Sequence, residues 1–449
     1  MRILIQIRQT PDVTAAVIDE PYKQSVPAVV GDLPGVLMDE SYSPVAMPRP
    51  LRKDAGGDPL SLRGPLTFSW EPEEASVLVR GEVADDELGP RLAVLAANRP
   101  DIVGVFADPV ISTMPCCDGD PIGTWEDVAD LLHVSELQKQ GLEGTSVPVA
   151  VVDTGIKAAH LGSSGAVLPV DRNRSWSPAG VGQRPGEHEV GHGTMCAFDI
   201  GIVAPKAELL DIPVLLSNRE GRTLMEGLTS DAIAAYSHLR RVFDMMPHSS
   251  RALVVNNSWG CYSPQWDFAP GQPGNYSDSL AHPFNVAVAA LESAGADILF
   301  AAGNCGRDCP SPKCAYDRQP IGGANSHPQV LSIAGADVKG QRVGYSSQGP
   351  GRLDRRKPDV CSYTHFLGSQ ALGAGKPDNG TSAACPVAAG VVAALRTAWP
   401  SSQVSPEQMR QMIQRAASDP TGSGFSDDYG YGVINVRGIL DSLQRRRPI

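Results

Sequence analysis

The chain has 449 residues, of which 42% are hydrophobic and 20% charged, which suits a globular protein with room for one large domain and a smaller one. Lys and Arg number 38 against 50 Asp and Glu, a net charge of -12 that argues against nucleic acid or an anionic membrane as partner. No apolar run is long enough to span a membrane. The start "MRILIQIRQTPDV" has too brief an apolar run for a secretory signal, so a cytoplasmic location with reduced thiols is the expectation for the nine cysteines.

In chain order, residues 1–115 predict a small α+β domain. Its Pro-, Gly- and Arg-containing stretch "SYSPVAMPRPLRKDAGGDPLSLRGP" reads as a loop. A strand through Val77 and Val79 follows, then a helix capped by Asp85 or Asp86, then a strand over Ile102 to Phe106. The turn-rich "STMPCCDGDPIGT" overlaps the linker, 116–126, and is expected to be exposed. From 127 to 449 apolar strand runs alternate with helical patterns. The runs "VPVAVV", "AELLDIPVL", "ALVVN", "DILFAA" and "VLSIAGA" suit strands buried on both faces. Between them lie "SDAIAAYSHLRRVFDMM" and "PFNVAVAALESAG". The alternation predicts an α/β fold, a doubly wound, mostly parallel sheet with helices on both sides and functional residues at the carboxyl ends of strands.

Those ends carry chemistry. "VPVAVVDTG" ends in Asp153, "ALVVNNSWG" in Ser258, Trp259 and Gly260, and "ADILFAAGN" in Asn304. "VGHGTMCAFD" holds His192 between glycines, and "NGTSAACPVAAG" sets Ser382 before an Ala- and Val-rich helical run. Read alone, Ser382 is a helix cap, with Pro386 close to the first turn. Read together, these residues are the parts acyl transfer needs. A serine hydroxyl requires a base to take its proton, the imidazole requires a carboxylate to fix its tautomer, and the oxyanion requires a donor.

The order Asp, His, Ser in "VVDTGI", "GHGT" and "NGTSAACPVAAG" resembles the subtilisin-like serine proteases, the subtilases. "VAPKAELLDIPVL", "NNSWG", "AAGN", "VGYSSQGP", "KPDV" and "DYGYGVINV" agree in order, so the resemblance covers residues 125 to 440. It implies a serine endopeptidase acting on protein or peptide substrates without a cofactor. In it Asp153 orients His192, His192 is base and acid, Ser382 is the nucleophile, and Asn304 with the Ser382 N–H forms the oxyanion hole. Ser258, Trp259 and Gly260 would line the cleft and pair with an extended substrate. Met195 and Val387 stand where most subtilases carry histidines. The His192 to Pro205 segment is shorter than in common secreted members, so their strong calcium site is not expected. The N-terminal unit loosely resembles subtilase prodomains, which makes it a candidate intramolecular inhibitor with Phe106 to Thr124 as the tail through the cleft.

Three alternatives compete. "HEVGH", residues 188–192, fits the zinc-protease pattern H-E-x-x-H, but Pro185 and the glycines at 186, 191 and 193 disfavour the helix that pattern needs. A catalytically silent, peptide-binding scaffold of the same fold is the second. Third, Cys305, Cys309 and Cys314 could join a zinc site or pair with one another, although their spacing matches no C-x-x-C motif.

Overall fold

The computed structural model describes residues 1–8, 33–47, 76–84, positions 88, 89, 92, 95 and 98, and 99–445 apart from 118, 164–167, 218–224 and 317. The N-terminal strands are β1 (Arg2–Arg8), β2 (Leu37–Met38), β3 (Val45–Ala46), β4 (Ser76–Glu82) and β5 (Ile102–Ala107). They form one antiparallel sheet in the order β2-β4-β1-β5, with β3 also paired to β4. Alternation along β1 buries both of its faces. Ile3, Ile5 and Ile7 share a core with Val77, Val79, Leu92 and Leu95, the last two at helical positions. Leu4 joins Leu78, Phe106 and Tyr42 in a cluster with Ala232, Ile233 and Tyr236 of the larger unit. The opening run, considered above only as a targeting signal, is thus the central strand of a sheet. Of the expected loop over 41–65, Val45 and Ala46 pair with Leu78 and Val77. Residues 48–65 and the expected caps Asp85 and Asp86 lie outside the described residues.

The link continues as β6 (Val110–Ser112), which pairs antiparallel with β9 (Glu226–Leu228). The larger sheet contains β7 (Pro148–Val152), β8 (Glu208–Ile212), β10 (Val254–Asn257), β11 (Asp297–Ala301), β12 (Leu331–Ala336) and β13 (Val360–Tyr363). Its order is β13-β12-β11-β10-β7-β8, and every neighbouring pair is parallel. β13, within "KPDVCSY", has no counterpart in the sequence reading.

Both sheet faces are covered, which is why the strands read as unbroken apolar runs. Val149 and Val151 face the core shared with the helices His192–Val203 and Thr381–Arg396. Ala150 and Val152 face the core shared with Thr229–Asp244 and Pro283–Ala294. The Thr381–Arg396 helix is buried along its whole length. It passes so close to the His192 helix that a Cβ on Gly390 would lie 2.5 Å from the Ile200 carbonyl oxygen. No helix among the described residues is long and apolar enough to cross a membrane.

The N-terminal sheet docks where two helices of the second face begin. Asp108 accepts from the Ser230 amide and hydroxyl, both at 2.8 Å, and His282 Nε2 lies 2.8 Å from the Ala107 carbonyl oxygen. Arg80 reaches across to Ser230 Oγ at 2.9 Å and Asp231 Oδ2 at 3.1 Å. Burial pushes the Asp108 carboxyl up to about 6 despite Arg80 beside it.

Candidate active site

β7 leads directly into Asp153, whose amide donates to the Ile212 carbonyl of β8 at 3.0 Å, so the residue after the strand is still tied to the sheet. The buried carboxylate accepts from the Thr154 amide at 2.7 Å. His192 opens its helix with Nδ1 2.9 Å from Asp153 Oδ1 and 3.0 Å from Oδ2. A carboxylate so held fixes the tautomer that leaves Nε2 as the basic nitrogen. Only 8% of His192 is exposed.

Ser382 sits inside the first turn of the Thr381–Arg396 helix, and Gly380 is the residue at its cap, with φ +75. This corrects the reading of Ser382 as the cap. A Cβ on Gly380 would also come within 2.9 Å of Asn304 Nδ2. Pro386 lies one turn inside the helix rather than at its start. Lacking an N–H, it leaves the Ser382 carbonyl without its i+4 donor. Ser258 Oγ donates to that carbonyl at 3.1 Å, and the Cys196 thiol lies 3.5 Å from it. Ser382 Oγ donates to the Ser258 carbonyl at 3.3 Å, and no hydrogen bond joins it to His192. Such bonds commonly tighten only with substrate in place.

Asn304 follows β11 and is locked by Thr381, the neighbour of Ser382. Its Oδ1 accepts from the Thr381 amide at 2.9 Å and from Thr381 Oγ1 at 3.0 Å. That leaves the Nδ2 amide as the donor group of the side chain. Nδ2 donates to the Met114 carbonyl at 2.9 Å.

The chain's own link therefore occupies the cleft. Ser112 and Gly260 exchange both backbone hydrogen bonds, at 3.0 and 3.1 Å, and on its other side the link pairs with β9. Gly260 thus pairs with an extended strand, that of the chain's own link. Trp259 does not face it: the indole is fully buried against Phe284 and Phe300 and donates to the Val152 carbonyl at 2.9 Å. Ile111, Ser112, Thr113 and Met114 are all buried, whereas Pro115, Gly119 and Asp120 are exposed, so the expected exposure holds only after Met114. Lys313 lies over the strand, 3.6 Å from Glu226 and 3.5 Å from the Thr113 carbonyl oxygen. Cys117–Cys309 and Cys305–Cys314 are disulfides, so the three clustered cysteines hold no zinc and four of the nine are not reduced.

Thr381, Cys196, Lys313 and Met114 are the site neighbours the sequence reading did not assign. Thr381 stands in the quoted "NGTSAAC", where a second hydroxyl beside Ser382 is the available signal. Cys196 is one helical turn after His192, with Sγ 3.7 Å from Asp153 Oδ2. Burial, then the Asp153 charge, pushes its thiol well above the ordinary range, so it stays protonated there. In "HEVGH" only His192 is helical, and His188 is buried with Nε2 3.6 Å from Asp211, so the two imidazoles do not share a helix face.

The profile of the subtilase family matches residues 144–432. The chain is 28% identical over 312 residues to subtilisin DY of Bacillus licheniformis, covering 68% of this chain and 95% of that one. It is 26% identical over 336 residues to fervidolysin of Fervidobacterium pennivorans, covering 69% of this chain but only 43% of fervidolysin. The solved structure of fervidolysin, a keratinolytic enzyme related to subtilisin, shares the fold at a TM-score of 0.59 and 17% identity, over 98% of this chain and 60% of that one. With a family match over more than half its length and a parallel α/β sheet to carry it, this chain belongs to the subtilases, serine-type peptidases.

Proposed function

We propose that the chain is a serine endopeptidase using Asp153, His192 and Ser382, held inactive by its own N-terminal unit. His192 Nε2 takes the Ser382 Oγ proton as Oγ attacks the substrate carbonyl carbon. The carbonyl oxygen becomes an oxyanion and receives hydrogen bonds from Asn304 Nδ2 and the Ser382 N–H. His192 then returns the proton to the leaving amine, and water attacks the acyl-enzyme by the same route in reverse. Asp153 holds the imidazole and balances its positive charge.

One observation carries this reading. A backbone carbonyl, that of Met114, accepts from Asn304 Nδ2 at 2.9 Å, on a segment hydrogen-bonded to Gly260. A scaffold that merely binds peptides has no use for a donor aimed at a carbonyl beside a serine at a helix start. The N-terminal unit would inhibit because the same strand fills the place of a substrate. The two disulfides favour an oxidising compartment over the cytoplasm.

A fluorophosphonate label and a casein assay test the proposal. Label on Ser382, with both label and hydrolysis lost in Ser382→Ala, is the expected result. A chain that never reacts is a scaffold. Hydrolysis surviving Ser382→Ala but abolished by a zinc chelator would sink the triad.

A further inference from the structure

Resting on that triad reading, we infer that Asp199 and Asp378 share a proton and act as a positioning pair, clasping the helix of His192 to the segment that carries Ser382. Neither carboxyl belongs to the triad. Asp199 lies on the helix that His192 opens, and Asp378 lies just upstream of Ser382 in "PDNGTS". At helical spacing His192, Cys196 and Asp199 share one face. Along that face His192 Nδ1 meets Asp153, the Cys196 thiol lies 3.5 Å from the Ser382 carbonyl oxygen, and Asp199 meets Asp378. The pair is thus the third contact that sets this helix against its neighbours in the site.

Both residues are fully buried, at 0% exposure. Asp378 is anchored by its own surroundings. Its amide donates to the Phe366 carbonyl and its carbonyl accepts from the His365 amide, both at 2.8 Å. Its two carboxylate oxygens accept from the Ser369 amide and hydroxyl, each at 2.6 Å. Asp199 has no such donors. As a carboxylate it leaves both oxygens without a hydrogen-bond partner, and no Lys or Arg among the described residues pairs with it. A carboxyl buried in that way takes up a proton in preference to holding a charge. Protonated, it becomes a donor, and its hydrogen bond to Asp378 satisfies both groups. A metal ion suits the place less well, because hydrogens from Ser369 already point at both Asp378 oxygens and a hard cation requires a full oxygen shell.

The pH sense follows from burial, which raises Asp378 to about 6 and Asp199 well above the ordinary carboxyl range. The Asp378 charge pushes Asp199 further in the same direction. Two other titratable groups face the pair. Cys196, on Asp199's own helix, is held neutral by burial. His160, on the Ala158–Ser163 helix packed against it, places Nε2 2.8 Å from the Ser369 carbonyl oxygen and favours the Asp378 charge. Below about pH 6 both acids are protonated and the bond stays. Above that the pair holds one proton until Asp199 ionises, when two carboxylates face each other and repel. Asp378 is anchored, so it is the His192 helix that gives way. The hydroxyl and the imidazole then lose alignment while the rest of the cleft still binds substrate, which lowers kcat and spares KM.

The test compares full-chain wild type, Asp199→Asn and Asp199→Leu by Ser382-dependent peptide hydrolysis from pH 6 to pH 10. Asn keeps a donor for Asp378 but has no proton to lose, and Leu keeps the volume without a donor. Wild-type kcat should fall about tenfold or more between pH 8 and pH 10 at steady KM, within the roughly 10²-fold that a misplacement of about 1 Å costs. Asp199→Asn should remove that alkaline fall, and Asp199→Leu should show the low kcat already at pH 7. The same alkaline fall in Asp199→Asn, or a fall carried by KM, overturns the positioning role. If Asp199→Leu does not fold, Asp199→Asn decides. Infrared difference spectra of wild type against Asp199→Asn read the proton without turnover. A protonated-acid carbonyl stretch present at pH 8 and lost by pH 10 is expected, and carboxylate bands alone at pH 8 overturn the shared proton. A chain that shows the protonated acid but whose Ser382 takes no fluorophosphonate overturns the triad and the positioning role with it, leaving the proton in place.

Discussion

Replacing Arg80 with methionine should switch the protein on. Its guanidinium contacts Ser230 and Asp231 on the helix that receives the N-terminal sheet, and Asp39 and the Tyr42 ring on its own side. Asp39 is a third exposed, so that pair adds little. Asp231 is different: its side chain is 9% exposed, and Asp108 stands close by. Methionine keeps most of the stem's packing but leaves Asp231 buried without its cation, a loss of about 3–5 kcal/mol. Proton uptake by Asp108 and Asp231 relieves part of this, which favours the lower figure. About 3 kcal/mol raises the undocked fraction by about 100-fold. The pH sign follows. Burial already raises both carboxyls, and loss of Arg80 raises them further, so the variant docks better at pH 5 than at pH 8. The assay is initial-rate peptide hydrolysis by freshly purified full chain, wild type against Arg80→Met, at both pH values. Less than a tenfold rise at pH 8 in a folded variant, or a larger rise at pH 5, would refute this account of the docking.

Asn304→Ala should lower kcat by about 10²–10³ with little change in KM, a magnitude taken from the matching amide of subtilisin rather than worked from this chain. An unchanged kcat would mean the oxyanion is held elsewhere. Asp211, which accepts from the Gly186 amide at 2.8 Å, has its carboxyl pushed up by burial to about 7. The folded state therefore binds its proton more tightly than the unfolded one, and the stability this group contributes falls as pH rises from about 4 to 7. Asp211→Asn should flatten that part of the Tm–pH curve, so the gain over wild type should be larger at pH 8 than at pH 4; parallel curves would rule this out. The helix from His192 runs unbroken to Val203, with β8 starting at Glu208, so no long loop is available for calcium there. A calcium chelator should barely move Tm, and a large drop restored by calcium alone would locate a site elsewhere.

The strands of the catalytic unit, their parallel arrangement and the residues at their ends were legible because they are local signals. A strand buried on both faces must be apolar throughout, as Val149 to Val152 are. Acyl transfer needs a hydroxyl, an imidazole, a carboxylate and a donor whatever the fold. β1 carries the same kind of apolar signal in "RILIQIR", too short for a targeting segment but long enough for a strand. β13, VCSY, interrupts its apolar residues with Ser362 and so carries no continuous apolar run.

What the sequence alone determined is the chemistry available and the class of fold, since composition and periodicity are properties of neighbouring residues. Only the tertiary structure decided which distant residues meet. Cys117 pairs with Cys309 across 192 residues, a choice set by where the link crosses the cleft. Trp259 belongs to the core because β10 delivers its indole beneath the Val152 carbonyl, although its neighbour Gly260 faces the strand in the cleft. Pro386 could be placed near a helix start by rule, yet its position one turn in is what frees the Ser382 carbonyl for Ser258. The turn-rich "STMPCC" reads as exposed because local composition carries no record of a partner. Its residues Ser112, Thr113 and Met114 are nonetheless buried, because β9, Met225 and Gly260 supply the backbone hydrogen bonds that water would otherwise provide.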